Sequence, residues 1–126
     1  PTADAGQINR HAWTAITALQ QPDRPNLLHK TLRLYLTSSQ GQIDELRQAL
    51  LAGNYPAMTI PAHTLKSSSA MLGADQLATL AGQLETHCRA GHQEPAAKLI
   101  PLIETEHRHV CASFRQELSL PAKEAI

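Results

Sequence analysis

An all-α fold is predicted by three features of this sequence. Leucine and alanine are abundant, β-branched residues are few, and no window keeps a strict apolar/polar alternation. The 126 residues fit one domain spanning 1–126, a size that buries enough apolar surface to fold without metals or disulfides. The expected architecture is an antiparallel four-helix bundle with a short additional N-terminal helix across one end. Residues 1–6 and 119–126 are expected to be flexible ends.

A short first helix is expected from Gln7 to Leu19, with Ile8, Ala12, Ile16 and Leu19 along one side. It ends before "QQPDRPN". Pro25 suits the first turn of a long second helix, in which Leu28, Leu32, Tyr35, Ser39, Ile43, Leu46 and Leu50 recur at three- and four-residue steps until Gly53. Gly41 lies inside that stretch and costs about 1 kcal/mol against alanine, so a break near Ser38 to Gly41 is the alternative. After "GN", the stripe Met58, Ala62, Leu65, Ser69 and Leu72 has the spacing of a bundle seam, and Gly73 stops the helix. Pro61 lacks the N–H that would bond back to Ala57, which implies a kinked first turn or a start near Thr59. Asp75 can cap the next helix, whose apolar face is Leu77, Leu80, Ala81, Leu84 and Cys88. A turn at "AGH" follows. Pro95 opens a last helix carrying Leu99, Ile103, Val110, Phe114 and Leu118, with a second kink expected at Pro101 and fraying from Pro121.

Eleven lysines and arginines balance eleven aspartates and glutamates. The chain therefore lacks the positive field that would gather a nucleic acid or an anionic membrane around it. Apolar runs are short, and the start "PTADAGQ" has no signal-peptide pattern. Cys88 and Cys111 read as buried free thiols, which suits a reducing cytoplasm. No long apolar face is left over, so a monomer is expected.

Function is expected on the outside of the bundle, and one histidine draws attention. His63 follows the seam residue Ala62 and is rotated about 100° from the buried stripe. Thr59, Lys66, Ser67 and Ala70 share its side of the helix at offsets of three, four and seven residues. Small side chains at Ser67 and Ala70 leave His63 above a low floor that another protein could cover. A neutral, exposed imidazole can act as a nucleophile, and Lys66 can partly neutralise an anion attached to it.

The segment "AHTLKSSSAMLGADQL" resembles the motif of histidine-containing phosphotransfer (HPt) domains, where Ala-His, a variable residue, Leu-Lys, small residues and Leu-Gly-Ala recur in this order. "LQQPDRPNLLHKTLRLYL" before it, "LAGQLE" after it and the last helix resemble the versions at the C-terminal end of hybrid sensor histidine kinases. The resemblance implies a phosphorelay intermediate of two-component signalling: His63 accepts a phosphoryl group from a receiver-domain aspartate and passes it to another receiver aspartate. It implies reaction through Nε2, Lys66 as the basic residue beside the phosphoryl group, and Glu85 as the side chain that orients His63 through its other nitrogen. Ser67 stands where the family usually has glycine, a change that tunes docking rather than abolishing transfer. Thr59, Thr64, Ser67, Ala70 and Arg89 are the expected docking residues, with Trp13 and Ile16 of the first helix as further candidates. No ATP-dependent kinase activity and no cofactor in this chain are expected. The partner receivers, of a hybrid kinase and of a response regulator, would bring Mg2+. The polar start would suit a linker, and both a free-standing protein and the cytoplasmic C-terminal part of a membrane-bound kinase remain open.

The rival readings are weaker. His107, Cys111 and Glu104, with His87, Cys88, His92 and His109, could suggest a metal-binding bundle, but no pair has a diagnostic spacing. A kinase dimerisation domain would carry an acidic residue after its histidine, where this chain has Thr64. A non-phosphorylated helical adaptor is the bland alternative.

Overall fold

Residues 6–19 and 26–120 are described by a computed structural model. The expectations for Pro25, Pro121 and most of the two flexible ends fall outside them. Helices α1 (His11–Ala18), α2 (Leu27–Leu51), α3 (Thr59–Met71), α4 (Asp75–Ala90) and α5 (Gln93–Ser119) follow in order, with a 3-10 turn at Tyr55–Met58 before α3. There is no strand among the described residues. Packing runs α2 on α3, α3 on α4, α4 on α5 and α5 on α2, so four helices close around one core.

The predicted seams are the buried ones. Leu32, Leu46, Met58, Leu65, Leu77, Leu84, Ile103, Val110 and Phe114 are almost fully excluded from water, each side chain contributing about 1.5–3 kcal/mol by the usual area relation. Phe114 meets Tyr35 edge-on at 5.3 Å between centroids and Trp13 at 6.1 Å. Two polar pairs cross this core: the Tyr35 hydroxyl and Ser69 Oγ at 2.8 Å, and Ser39 Oγ and His107 Nε2 at 2.8 Å.

The N-terminal helix is shorter than expected because Asn9 is used otherwise. Its amide donates to the Gly73 carbonyl (2.8 Å) and its Oδ1 accepts from the His11 amide (3.1 Å), which holds Gln7 to Arg10 outside the helix. Trp13 Nε1–H donates to the Leu72 carbonyl at 2.8 Å. The α1 region thus satisfies carbonyls left open where α3 ends. Leu19 is exposed rather than on the apolar side, since it lies past the last residue of α1. Gly6, placed among the flexible residues by sequence, is buried and tied to α5: its amide donates to Glu106 Oε2 (3.0 Å), and its carbonyl accepts from the Ser113 hydroxyl (2.9 Å). At the other end, α5 stays helical through Ser119.

Five local expectations, at Gly41, Pro61, Asp75, Pro95 and Pro101, resolve physically. Helix α2 is unbroken through Gly41, because burial of Tyr35, Ser39, Ile43 and Leu46 on its inner side outweighs the glycine cost. Pro61 is accommodated by starting α3 at Thr59, which puts the missing N–H in the first turn, where no intrahelical partner is needed. Asp75 does not cap α4. Ala74 is the capping residue, and the Asp75 carboxylate, already in the first turn, accepts from Asn9 Nδ2 at 3.2 Å. Pro95 lies in the first turn of α5, and the helix is continuous across Pro101.

Candidate functional site

His63 lies one turn into α3, with its side chain 57% exposed. Its floor is set by α4. Glu85 reaches across so that its Oε2 lies 3.0 Å from His63 Nδ1, and the Glu85 side chain is only 9% exposed. The same oxygen accepts from Arg89 Nε (3.2 Å) and Nη2 (2.8 Å), one turn further along α4. Oε1 faces Lys66 Nζ at 3.6 Å. The carboxyl is held below the usual carboxylate range, chiefly by the Arg89 hydrogen bonds and secondarily by His63 and Lys66, against the opposing effect of burial.

An ionised carboxylate only accepts, so the hydrogen of the neutral ring is assigned to Nδ1. Nε2 then carries the lone pair, and it makes no hydrogen bond among the described residues. The arrangement presents a nucleophilic nitrogen to solvent with a cation one turn away and a buried anion behind the ring. The anion suits a ring that gains positive charge on reacting, and the cation suits negative charge arriving at Nε2.

All three residues assigned to the reaction from sequence, His63, Lys66 and Glu85, come together here, and Arg89 joins them as a partner of Glu85. Of the remaining docking candidates, Thr64, Ser67 and Ala70 are exposed on α3, and Thr59 is half-buried near its start. Trp13 and Ile16 are not part of such a surface. Both are buried, Trp13 beneath the Arg10 guanidinium at 4.8 Å, because α1 turns its apolar side onto α2, Phe114 and the end of α3. Sequence reasoning missed Ile60 and Met71, which are 77% and 56% exposed at offsets of minus three and plus eight from His63. With Thr64 and Ser67 they form an outward ridge beside the histidine. The available signal was two large apolar residues off the seam stripe.

The residues of the metal reading are dispersed. His107 lies in the core against Ser39 and Cys111, with Sγ 3.3 Å from Nε2, and burial lowers its pKa. His87 and His92 face each other at the α4–α5 turn, Nδ1 to Nδ1 at 3.2 Å. No group of three or more His, Cys, Asp or Glu side chains among the described residues is placed to hold a metal ion. Cys88 and Cys111 are buried free thiols. No helix among the described residues is long and apolar enough to cross a membrane.

Comparison with known proteins converges on one family. Residues 30–117 match the family model described as Hpt domain. Histidine-containing phosphotransfer protein 4 of Arabidopsis thaliana is 28% identical over 91 residues, covering 71% of this chain and 72% of that protein. The crystal structure of histidine-containing phosphotransfer protein B from Pseudomonas aeruginosa PAO1 superimposes with a TM-score of 0.81 at 25% identity, over 94% of this chain and 97% of that one.

Proposed function

Since the chain belongs to the Hpt domain family, with its histidine phosphotransfer role in phosphorelay signalling, we propose that His63 accepts a phosphoryl group from a receiver-domain aspartyl phosphate and passes it to the aspartate of another receiver. The observation that carries this reading is the Nδ1 contact with Glu85, which leaves Nε2 without a partner among the described residues. In the forward step Nε2 donates its lone pair to phosphorus while the bond from phosphorus to the aspartyl oxygen breaks, restoring the aspartate carboxylate. The proton stays on Nδ1. The ring becomes a phosphorylated imidazolium, whose charge is balanced by Glu85 Oε2 at 3.0 Å. Onward transfer reverses these bonds with the second aspartate as nucleophile.

Lys66 and Glu85 have distinct roles in this scheme. Lys66, already drawn toward the site by Glu85, swings to the phosphoryl oxygens as negative charge arrives. Arg89 keeps Glu85 ionised and anchored from the opposite side. The receiver brings the divalent cation, because phosphoryl transfer depends chiefly on in-line placement and charge stabilisation. Ile60, Thr64, Ser67 and Met71 form the apolar and small-residue ridge that the receiver covers. Ser67 adds one hydroxymethyl group to the floor where the family usually has glycine, so the receiver docks slightly higher or at a tilt. Hybrid-kinase and response-regulator receivers are the proposed donor and acceptor.

Incubation with a phosphorylated receiver and magnesium, followed by intact mass and peptide mapping, tests the proposal. One acid-labile phosphoryl group on His63, absent from His63→Gln and from an ATP-only control, is the expected result. A folded chain that takes no phosphate from a panel of receivers would return weight to an adaptor role.

A further inference from the structure

Gly82 has no conformational reason to be glycine. It sits in the interior of α4, in ordinary helical conformation, where glycine costs about as much as any residue but proline. What surrounds it supplies the reason. A Cβ built there would lie 3.3 Å from Lys66 Cδ, with Cγ and Cε at 3.9 Å. The aliphatic stem of Lys66 therefore lies flat across α4 in the space a side chain would fill. Gly82 precedes Glu85 by one turn, so the stem running over Gly82 leads Nζ toward Glu85 Oε1, at 3.6 Å.

Two consequences follow for the reactive face. The ammonium is delivered from the α4 side of His63, and the lysine is kept low, away from the ridge of Ile60, Thr64, Ser67 and Met71. A side chain at position 82 would lift the stem outward, weakening its approach to the carboxylate and crowding the ridge. We propose that Gly82 is a positioning residue that seats Lys66, a role that rests on the phosphotransfer reading of His63. Stability is given up in α4 so that one cation approaches the phosphoryl group from a fixed direction.

The test combines Gly82→Ala, Gly82→Gln, Lys66→Ala and the Gly82→Gln/Lys66→Ala pair. Thermal midpoints and transfer rates from a phosphorylated receiver are measured across a range of receiver concentrations. Because the lysine stem is flexible, it yields to the methyl group of Gly82→Ala, and the midpoint rises by about 3–5 °C. Transfer at saturating receiver falls about threefold in Gly82→Ala and about tenfold in Gly82→Gln, in proportion to the displacement of the cation. The double variant is no slower than Lys66→Ala within about twofold, since Gly82 acts through Lys66.

Wild-type transfer rates in Gly82→Gln would overturn the role, as would losses that multiply with Lys66→Ala or a lowered midpoint in Gly82→Ala. An independent readout separates this from failure of the phosphotransfer reading. In the unmodified protein, nuclear Overhauser contacts between the Gly82 α-protons and the Lys66 δ-protons are expected whether or not His63 takes phosphate. Their absence would overturn the seat itself, whereas their presence in a chain that takes no phosphate would overturn its assignment to transfer.

Discussion

Gly73→Ala is expected to destabilise the protein far more than Gly53→Ala, a glycine-to-alanine change in another turn with a similar backbone conformation. Gly73 has φ +81°, where an L side chain costs about 1–2 kcal/mol. An added Cβ would also overlap the Asn9 carbonyl, whose own amide donates to the Gly73 carbonyl. Moving Asn9 away loses that bond, worth about 1 kcal/mol, and strains the buried Trp13 Nε1–Leu72 bond, whose orphaned groups would cost about 1–3 kcal/mol. The expected loss is about 3–6 kcal/mol, a large part of the 5–15 kcal/mol typical of such domains. Gly53 is the control. It has φ +65° but nothing within 4 Å of its Cβ position, so Gly53→Ala should cost only the conformational 1–2 kcal/mol. Urea unfolding with equal m values gives the difference directly. Equal losses in the two variants would refute the claim that the N-terminal segment is locked onto the end of α3.

Other outcomes follow from the same structure. Gly41→Ala, with open space at its Cβ position in the interior of α2, should stabilise by about 0.5–1 kcal/mol in urea unfolding, and a loss would show a hidden contact. Glu85→Gln can still accept from Nδ1–H, so it should slow transfer to His63 less than Glu85→Ala; about threefold against about thirtyfold is expected in single-turnover assays, and equal effects would remove Glu85 from orientation. Burial lowers the His107 pKa from 6.5, so between the folded and unfolded values the unfolded chain binds more protons and stability falls as pH drops below about 6.5. His107→Gln should flatten the thermal midpoint over that window, and an unchanged slope would place the titration elsewhere. Glu85, depressed mainly by Arg89, contributes stability above its unfolded value that is lost as pH falls through the lower folded one. Arg89→Ala should narrow this acid-limb contribution in urea unfolding followed against pH, and an unaltered limb would show that the pair adds nothing.

Helical periodicity carried most of the fold because the three- and four-residue steps of Leu32, Tyr35, Ser39, Ile43 and Leu46, and of Met58, Ala62, Leu65 and Ser69, are a direct consequence of one buried side per helix. The α1 region was the weak point. Eight residues of helix offer too few positions to tell a buried side from a docking side, so the sequence does not reveal that Trp13 and Ile16, candidates for docking, are both buried. The start of α1 and the role of Asp75 differ from expectation for a related reason: Asn9 and Asp75 both use side-chain hydrogen bonds set by where α1 meets the α3–α4 turn, a tertiary contact without periodic signature. His63 and Lys66 were legible from one helical turn. Glu85 lies twenty-two residues from His63 on another helix, and in the sequence only resemblance to a family joins them. Ile60 and Met71 escaped notice because an apolar residue off the seam is common and acquires meaning only beside a reactive group.

The most direct test of the account is the nitrogen that carries the phosphoryl group. Phosphorylation of 15N-histidine-labelled protein by a receiver, followed by 1H–15N–31P correlation, distinguishes the two ring nitrogens of His63. The account predicts phosphorus on Nε2, with Nδ1 still bearing its proton and the ring's coupling pattern altered in Glu85→Ala. Phosphorus on Nδ1, on another histidine, or on none would contradict it.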